Sequence, residues 1–337
     1  MSSAIEQVFV VGAGSWGTTV ANLLAQQGSR VSIWAREPEL IERIALDREN
    51  PKYLAGVRLC DRLRAARSFE DGLDQAELVL YAIPTQSLRE IARATRPFVS
   101  ESAILINLAK GIESGTGARG SEILGAEIRN GNPIGALSGP NIAYEVVRGI
   151  PSKAVVSCSN YRYLDRLTRA FSAPSFKVYE NPDLTGTELG GALKNVFAIM
   201  AGIGDGLGYG VNTKAAVITR SLREMIKIGV IMGGHCDTFY GLSGVGDLMA
   251  TCLSEHSRNR RLGEMLGRGH TLAEADAALQ GRVAEGLKTI KALWQLKLEY
   301  ALEMPIVETL HQIVYKGLPP REGYLRIWNP TGEREAA

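Results

Sequence analysis

The chain has 337 residues, 45% of them hydrophobic and 22% charged, which is the balance of a folded globular protein and excludes a disordered one. Thirty-eight Lys and Arg against 36 Asp and Glu leave a formal charge of +2, so no global field draws the chain to nucleic acid or to an anionic membrane. No run approaches the roughly 20 apolar residues that insert across a bilayer. Residues 1–6 lack the positive charge of a targeting peptide. The four cysteines, Cys60, Cys158, Cys236 and Cys252, lie far apart with no CxxC pair, which fits a reduced, cytoplasmic setting better than a disulfide framework.

In chain order, short β-branched runs at 8–11, 31–34, 78–82, 103–108, 134–137, 154–158 and 176–179 alternate with amphipathic stretches such as 18–27, 39–47 and 87–95. Near-continuous apolar strands joined by helices predict a parallel sheet covered on both faces. From Leu184 onward the pattern is almost wholly helical, at 187–200, 214–232, 247–252, 259–266, 272–279, 286–296 and 305–315. Asn181 and Pro182 break the last strand. The expected architecture is therefore an α/β Rossmann-like unit at 1–182, an all-α unit at 183–320, and a loose tail at 321–337 rich in Pro, Gly and Glu.

The first strand runs into G-x-G-x-x-G: Gly12 for the tight turn, Gly14 for close approach of the backbone to a pyrophosphate, and Gly17 for packing of helix on strand, with Ser15 and Trp16 between them. The bare motif also fits any Gly-rich βα turn. A strand before it, a helix after it and a second strand at Val31 supply the context that dinucleotide binding requires, with the helix N-terminus facing the phosphates. An NAD-selective site places an acidic residue at the end of the second strand, about 20 residues beyond the turn. Here that strand ends in Trp34, Ala35 and Arg36, a cation able to pair with the 2′-phosphate of NADP(H). Glu37 follows, but Pro38 begins the next helix and Glu37 reads as its cap. NADP(H) is preferred on this reading and NAD(H) remains usable.

Further on, Thr187, Gly190, Gly191, Lys194, Ala198 and Ala201 share one helical stripe, with small residues around a single lysine. Helix glycines cost about 1 kcal/mol each relative to Ala, so they need a reason: room for a ligand, or close helix packing with Lys194 reaching solvent. Lys110 follows the strand at 103–108 and so stands at the carboxyl end of the sheet, where open α/β folds bind ligands. Asp247 reads as a helix N-cap. At 257–261, Ser257 is a good N-cap, yet Arg258, Arg260 and Arg261 crowd a first turn whose dipole disfavours cations, a conflict that a bound phosphate would resolve. The four histidines show no metal-ligand spacing, and no metal is expected.

Seven segments occur in order: NLAKGIE (107–113), LSGPN (137–141), ELGGALKN (188–195), AGIGDGLGYGVNTKAA (201–216), GLSGVGDLMATC (241–252), SRNRRLG (257–263) and AEG (284–286). From about residue 8 to about 315 the chain resembles the bacterial and plastid-type glycerol-3-phosphate dehydrogenase family, which interconverts dihydroxyacetone phosphate and sn-glycerol 3-phosphate with NAD(P)H. The resemblance implies a helical domain like that of 6-phosphogluconate dehydrogenase and a homodimer. It implies Lys194 as general acid/base, Lys110 against both cofactor and substrate, and Asp247 as a substrate ligand or an orienter of Lys194. It further implies substrate contacts from Gly139, Asn141, Ser257, Arg258 and Asn259, and cofactor contacts from Ala143, Arg258, Val283 and Glu285. Asn141 stands where the family often has Ser or Thr, and the stretch after Tyr315 matches no family ending. Two other readings stay open from the residues: a related dehydrogenase of hydroxy or sugar acids, and a nucleotide-sensing protein without catalysis.

Overall fold

The computed structural model describes residues 4–279 and 284–328. The chain opens with β1 (Gln7–Val11), α1 (Ser15–Gln26), β2 (Arg30–Trp34), α2 (Pro38–Asp47), a hairpin of β3 (Glu49–Asn50) and β4 (Leu54–Arg58), and β5 (Leu63–Ala65). It continues with α3 (Phe69–Leu73), β6 (Leu78–Tyr81), α4 (Thr85–Thr95), β7 (Ile104–Asn107), α5 (Gly120–Ile128), β8 (Ile134–Ser138), α6 (Ala143–Val147), β9 (Ser152–Cys158), α7 (Leu164–Phe171) and β10 (Phe176–Glu180). The main sheet runs β10-β9-β8-β7-β6-β1-β2-β5. Its side chains alternate between two apolar layers, as the two-residue period of a strand requires. Val8, Val10 and Leu80 pack with Leu24, Ile41 and Leu167 on one face. Phe9, Val11, Val79 and Tyr81 pack with Leu88 and Ile123 on the other.

The sheet corrects the expectation of a parallel arrangement at one place: β9 runs antiparallel to β8. The linking helix α6 has five residues and does not run back along the sheet, so β9 leaves from the end at which β8 arrived. The strands β3, β4 and β5 were not expected. They have two, five and three residues, and β4 is mostly exposed, so they carry almost no apolar pattern.

The helical part comprises α8 (Leu184–Gly206), α9 (Val211–Ile231), α10 (Cys236–Phe239), a π-helical turn over Leu242–Gly246, α11 (Asp247–Leu253), α12 (Arg258–Gly267), α13 (Leu272–Ala278), α14 (Ala284–Glu299), α15 (Pro305–Lys316) and α16 (Pro320–Trp328). Asp183 caps α8, accepting from the Gly186 N–H at 2.8 Å. Every residue of α8 from Gly186 to Gly204 is buried, which is the pattern of a helix surrounded by others. The loose tail expected from residue 321 is replaced, through Trp328, by α16. Pro320 occupies the first turn, where its missing N–H costs nothing, and the Tyr324 ring, 1% exposed, sits against Gly204 of α8 and 5.1 Å from the Tyr209 ring.

Candidate active site

Within the sheet, β1 is flanked by β2 on one side and β6 on the other, so the chain order reverses there, the place at which open α/β sheets bind ligands beyond the carboxyl ends of their strands. The glycine turn follows β1 at this point. Gly12 has φ +114°, and a Cβ there would lie 2.5 Å from the Ala82 carbonyl oxygen. A Cβ on Gly17 would meet the Gly12 carbonyl oxygen at 2.1 Å, whereas nothing lies within 4 Å of one on Gly14. No side chain caps α1, leaving its N-terminus available to an anion in the open space at Gly14. These residues fit a dinucleotide pyrophosphate. Ser15 Oγ donates to the Tyr53 carbonyl at 2.8 Å, and half-buried Trp16 packs edge-on against Phe176. Ala143 opens α6 and touches α1, its carbonyl accepting from Thr19 Oγ1 at 3.4 Å.

Arg36 is exposed at the end of β2. Glu37 occupies the N-cap position of α2 but makes no capping bond with its side chain. Its carboxylate pairs instead with Lys52 Nζ at 3.0 Å and the Tyr53 hydroxyl at 3.3 Å, and the Lys52 ammonium holds it below the usual carboxylate range. Val283 lies outside the described residues.

Where the sheet meets the helical part, two lysines converge on one carboxylate. Lys110, three residues beyond β7, donates from Nζ to Asp247 Oδ2 and to the Gly139 carbonyl, both at 2.8 Å. Lys194 donates from Nζ to Asp247 Oδ1 and, at 2.8 Å, to Thr251 Oγ1. Asp247 is 1% exposed and is the first residue of α11, after the π-helical turn; its carboxylate caps nothing and goes to the two ammoniums. Burial and the neighbouring Lys110 charge pull Lys194 down to about 8, against the opposing pull of Asp247. An amine that titrates there can give and take a proton at working pH.

The helix glycines serve close packing. A Cβ on Gly191 would lie 2.5 Å from Ser138 Oγ and 3.4 Å from Lys110 Cγ, and one on Gly190 would lie 2.5 Å from the Ser243 carbonyl oxygen. Their absence of side chains lets the segments carrying Lys110 and Asp247 reach Lys194, which is itself buried. Asn195, next to Lys194, donates to the Lys110 carbonyl at 3.0 Å and accepts from Asn259 Nδ2 at 3.0 Å. Both polar side-chain atoms of Asn141, Ser138 Oγ and Asn259 Oδ1 are buried and have no partner among the described residues. Unmet donors and acceptors at a cleft are what a polar ligand satisfies.

Of the arginine turn, Ser257 and Arg260 are spent on structure. Ser257 Oγ accepts from the Arg260 N–H at 3.2 Å. Arg260 bonds Asp205, Glu264 and the Ser254 carbonyl. Arg258 is exposed and makes no hydrogen bond or ion pair with the described residues. Glu285 accepts from the Thr85 N–H at 3.2 Å, at the start of α4. Burial raises its carboxyl, while the Thr85 N–H and the charges of Arg258, Lys194 and Lys110 pull the other way. Thr251 and Asn195 escaped the sequence reading as individual residues. The available signals were helical spacing, Thr251 four residues after Asp247, and adjacency, Asn195 beside Lys194.

Two family models match the chain: the NAD-dependent glycerol-3-phosphate dehydrogenase N-terminus over residues 7–164 and its C-terminus over residues 183–324. The chain is 42% identical to a glycerol-3-phosphate dehydrogenase [NAD(P)+] of Chlorobium limicola, covering 97% of this chain and 99% of the relative. It is 44% identical to one of Carboxydothermus hydrogenoformans, covering 98% of each. The solved glycerol-3-phosphate dehydrogenase of Coxiella burnetii superposes with a TM-score of 0.92 at 31% identity, over 96% of this chain and 99% of that one. The chain belongs to the NAD-dependent glycerol-3-phosphate dehydrogenase family.

Proposed function

We propose that this chain reversibly reduces dihydroxyacetone phosphate to sn-glycerol 3-phosphate, using NADPH in preference to NADH. The observation that carries this reading is the Lys110–Asp247–Lys194 cluster, a buried site with two cations and one anion between the glycine turn and the helical part. Its residual positive charge suits an anionic substrate and a developing alkoxide. When bound, the nicotinamide supplies the hydride that reaches the carbonyl carbon. The Lys110 ammonium polarises the carbonyl oxygen, and Lys194 gives that oxygen its proton as the C–O bond becomes single. Asp247 keeps both ammoniums in place, and Thr251 Oγ1 fixes the direction of the Lys194 Nζ. Asn141, Gly139 and Asn259 bind the glycerol portion, and the free Arg258 binds the phosphate. Gly12, Gly14, Ser15, Trp16, Gly17, Arg36, Ala143, Val283 and Glu285 would hold the cofactor, with further contacts from Arg258 and Lys110.

The unit at 1–182 carries the cofactor side and the helices from 183 carry the proton donor. Two such chains form a cytoplasmic homodimer feeding glycerophospholipid synthesis. No helix among the described residues is long and apolar enough to cross a membrane. Oxidation of NADPH and NADH followed by absorbance with dihydroxyacetone phosphate tests the reading: turnover supports it, and no turnover with either cofactor overturns it.

Arg258→Ala lowers kcat/KM for dihydroxyacetone phosphate by about 10- to 150-fold, the equivalent of the roughly 1.5–3 kcal/mol that a hydrogen bond to a charged group contributes. At saturating NADPH, which offsets the cofactor contact of Arg258, the loss with unphosphorylated dihydroxyacetone should be far smaller than with the phosphate. An equal loss there would remove the phosphate role.

Arg36→Ala raises KM for NADPH by roughly tenfold, about 1.4 kcal/mol, and leaves NADH nearly untouched. The effect is modest because an exposed pair is screened. Equal losses with both cofactors would mean that Arg36 stacks on the adenine, and a parent preference for NADH would refute the selectivity.

A further inference from the structure

Glu188 lies on α8, six residues before Lys194, with 6% of its surface exposed. Four donors converge on its carboxylate. Oε1 accepts from Asn107 Nδ2 at 2.9 Å and from the Ser121 N–H at 2.8 Å. Oε2 accepts from Arg119 Nη1 at 2.8 Å and from Ser121 Oγ at 2.5 Å. Burial pushes the carboxyl up, and Arg119, Ser121 and Asn107 pull it back. Nothing in the proton-transfer scheme uses this group.

Its partners mark the two ends of the loop that carries Lys110. Asn107 is the last residue of β7, while Arg119 and Ser121 flank the first residue of α5. At the start of the loop, Asn107 Oδ1 accepts from the Ala109 N–H at 3.0 Å and its Nδ2 donates to the Ala109 carbonyl at 3.2 Å, directly before Lys110. At the far end, a Cβ on Gly120 would lie 2.1 Å from Asn107 Nδ2, so the two ends touch. Asn195, two helical turns after Glu188 on the same face of α8, takes hold of the loop a third time at the Lys110 carbonyl.

We infer that Glu188 is a positioning residue that sets the Lys110 ammonium relative to Lys194 by tying both ends of the β7–α5 loop to the helix that bears Lys194. A buried ion pair adds little net stability over apolar side chains of the same volume. Four directed bonds from two segments supply a fixed geometry instead. Displacement of a reacting group by about 1 Å costs on the order of 10²-fold in rate, so such a tether acts on turnover.

This inference rests on the proposed reaction, and the test separates the two. The full-length chain and its Glu188→Gln variant are assayed with dihydroxyacetone phosphate and NADPH, each also in a Lys110→Met background, with folding followed by circular dichroism. The amide that replaces the carboxylate keeps its shape but turns an N–H₂ toward the Arg119 and Ser121 donors. The expected result is a kcat about 10- to 100-fold lower, KM for NADPH within about twofold, and almost no further loss in the Lys110→Met background. A folded E188Q enzyme with parental kcat overturns the inference, as does the same fractional loss in both backgrounds. Where E188Q does not fold, Asn107→Ala releases only the start of the loop and must give the same lowered kcat and the same non-additivity with Lys110→Met. Parental kcat in that variant is equally fatal. An inactive parent chain would sink the proposed reaction itself, whatever the variants do.

Discussion

Lys194→Ala lowers kcat for dihydroxyacetone phosphate reduction by about 10²- to 10⁴-fold, the range for loss of a positioned acid or base. The side chain is buried, bonded to Asp247 and Thr251, and drawn down to about 8 by burial. It lies on α8, away from the glycine turn, so cofactor affinity changes little. The sign of the pH dependence follows from the depressed value. Reduction needs the ammonium, which predominates below about 8, so kcat falls as pH rises through that value. Oxidation of glycerol 3-phosphate needs the free amine and gains over the same interval. In the parent enzyme, opposite limbs for the two directions with a shared midpoint check the assignment. A folded K194A variant with near-parental kcat would refute it.

What could be read from the sequence divides by the range of the interaction. The seven longer strands of the sheet and the glycine turn were legible because burial on both faces makes continuous apolar runs, and because a turn with positive φ at Gly12 must be glycine. The reversal of β9 was not legible, since it depends on where α6 stands and not on any property of residues 152–158. The tail was misread for a related reason. Pro320 and Gly323 break helices in isolation, yet Pro320 sits in a first turn, and Gly323 brings α16 within packing distance of Thr309 and Ile313. Burial of Tyr324 against α8 then decides the outcome.

At the site, Lys194 and Lys110 stand out from the residues themselves, whereas Asp247 owes its expected role to the family resemblance alone. Asp247 looked like a cap because local sequence shows a Gly-rich turn before a helix. Only the π-helical turn over Leu242–Gly246 and the fit of Gly190 against Ser243 put its carboxylate between lysines 53 and 137 residues away. Arg260 shows the reverse error. Its charge looked surplus in the first turn of α12 until Asp205 and Glu264 were placed beside it. That pairing leaves Arg258 and Arg261, both exposed, as the arginines of the turn with unspent charge among the described residues.

Asp247→Asn keeps the shape of the junction and removes its negative charge, and kcat for reduction is expected to fall by about 10²- to 10³-fold. Among the described residues no other carboxylate bonds to either ammonium. Asp247 therefore opposes both influences that lower Lys194, burial and the repulsion from Lys110. Without it Lys194 titrates below 8 and is largely neutral at the pH where the parent still has its proton donor. An uncompensated buried charge also costs several kcal/mol, about 3–5 when one partner of a buried pair is lost, so the thermal midpoint drops as well. The loss in rate should then depend on pH: the descending limb of kcat moves to lower pH by roughly a unit or more, and part of the activity returns on acidification. This distinguishes the two roles that the resemblance leaves for Asp247. An orienter and charge partner of Lys194 gives the displaced limb. A ligand of the substrate hydroxyl alone gives a raised KM and a deficit that stays the same across pH, with the limb still near 8. Parental kcat and an unmoved limb together would remove Asp247 from the catalytic cluster.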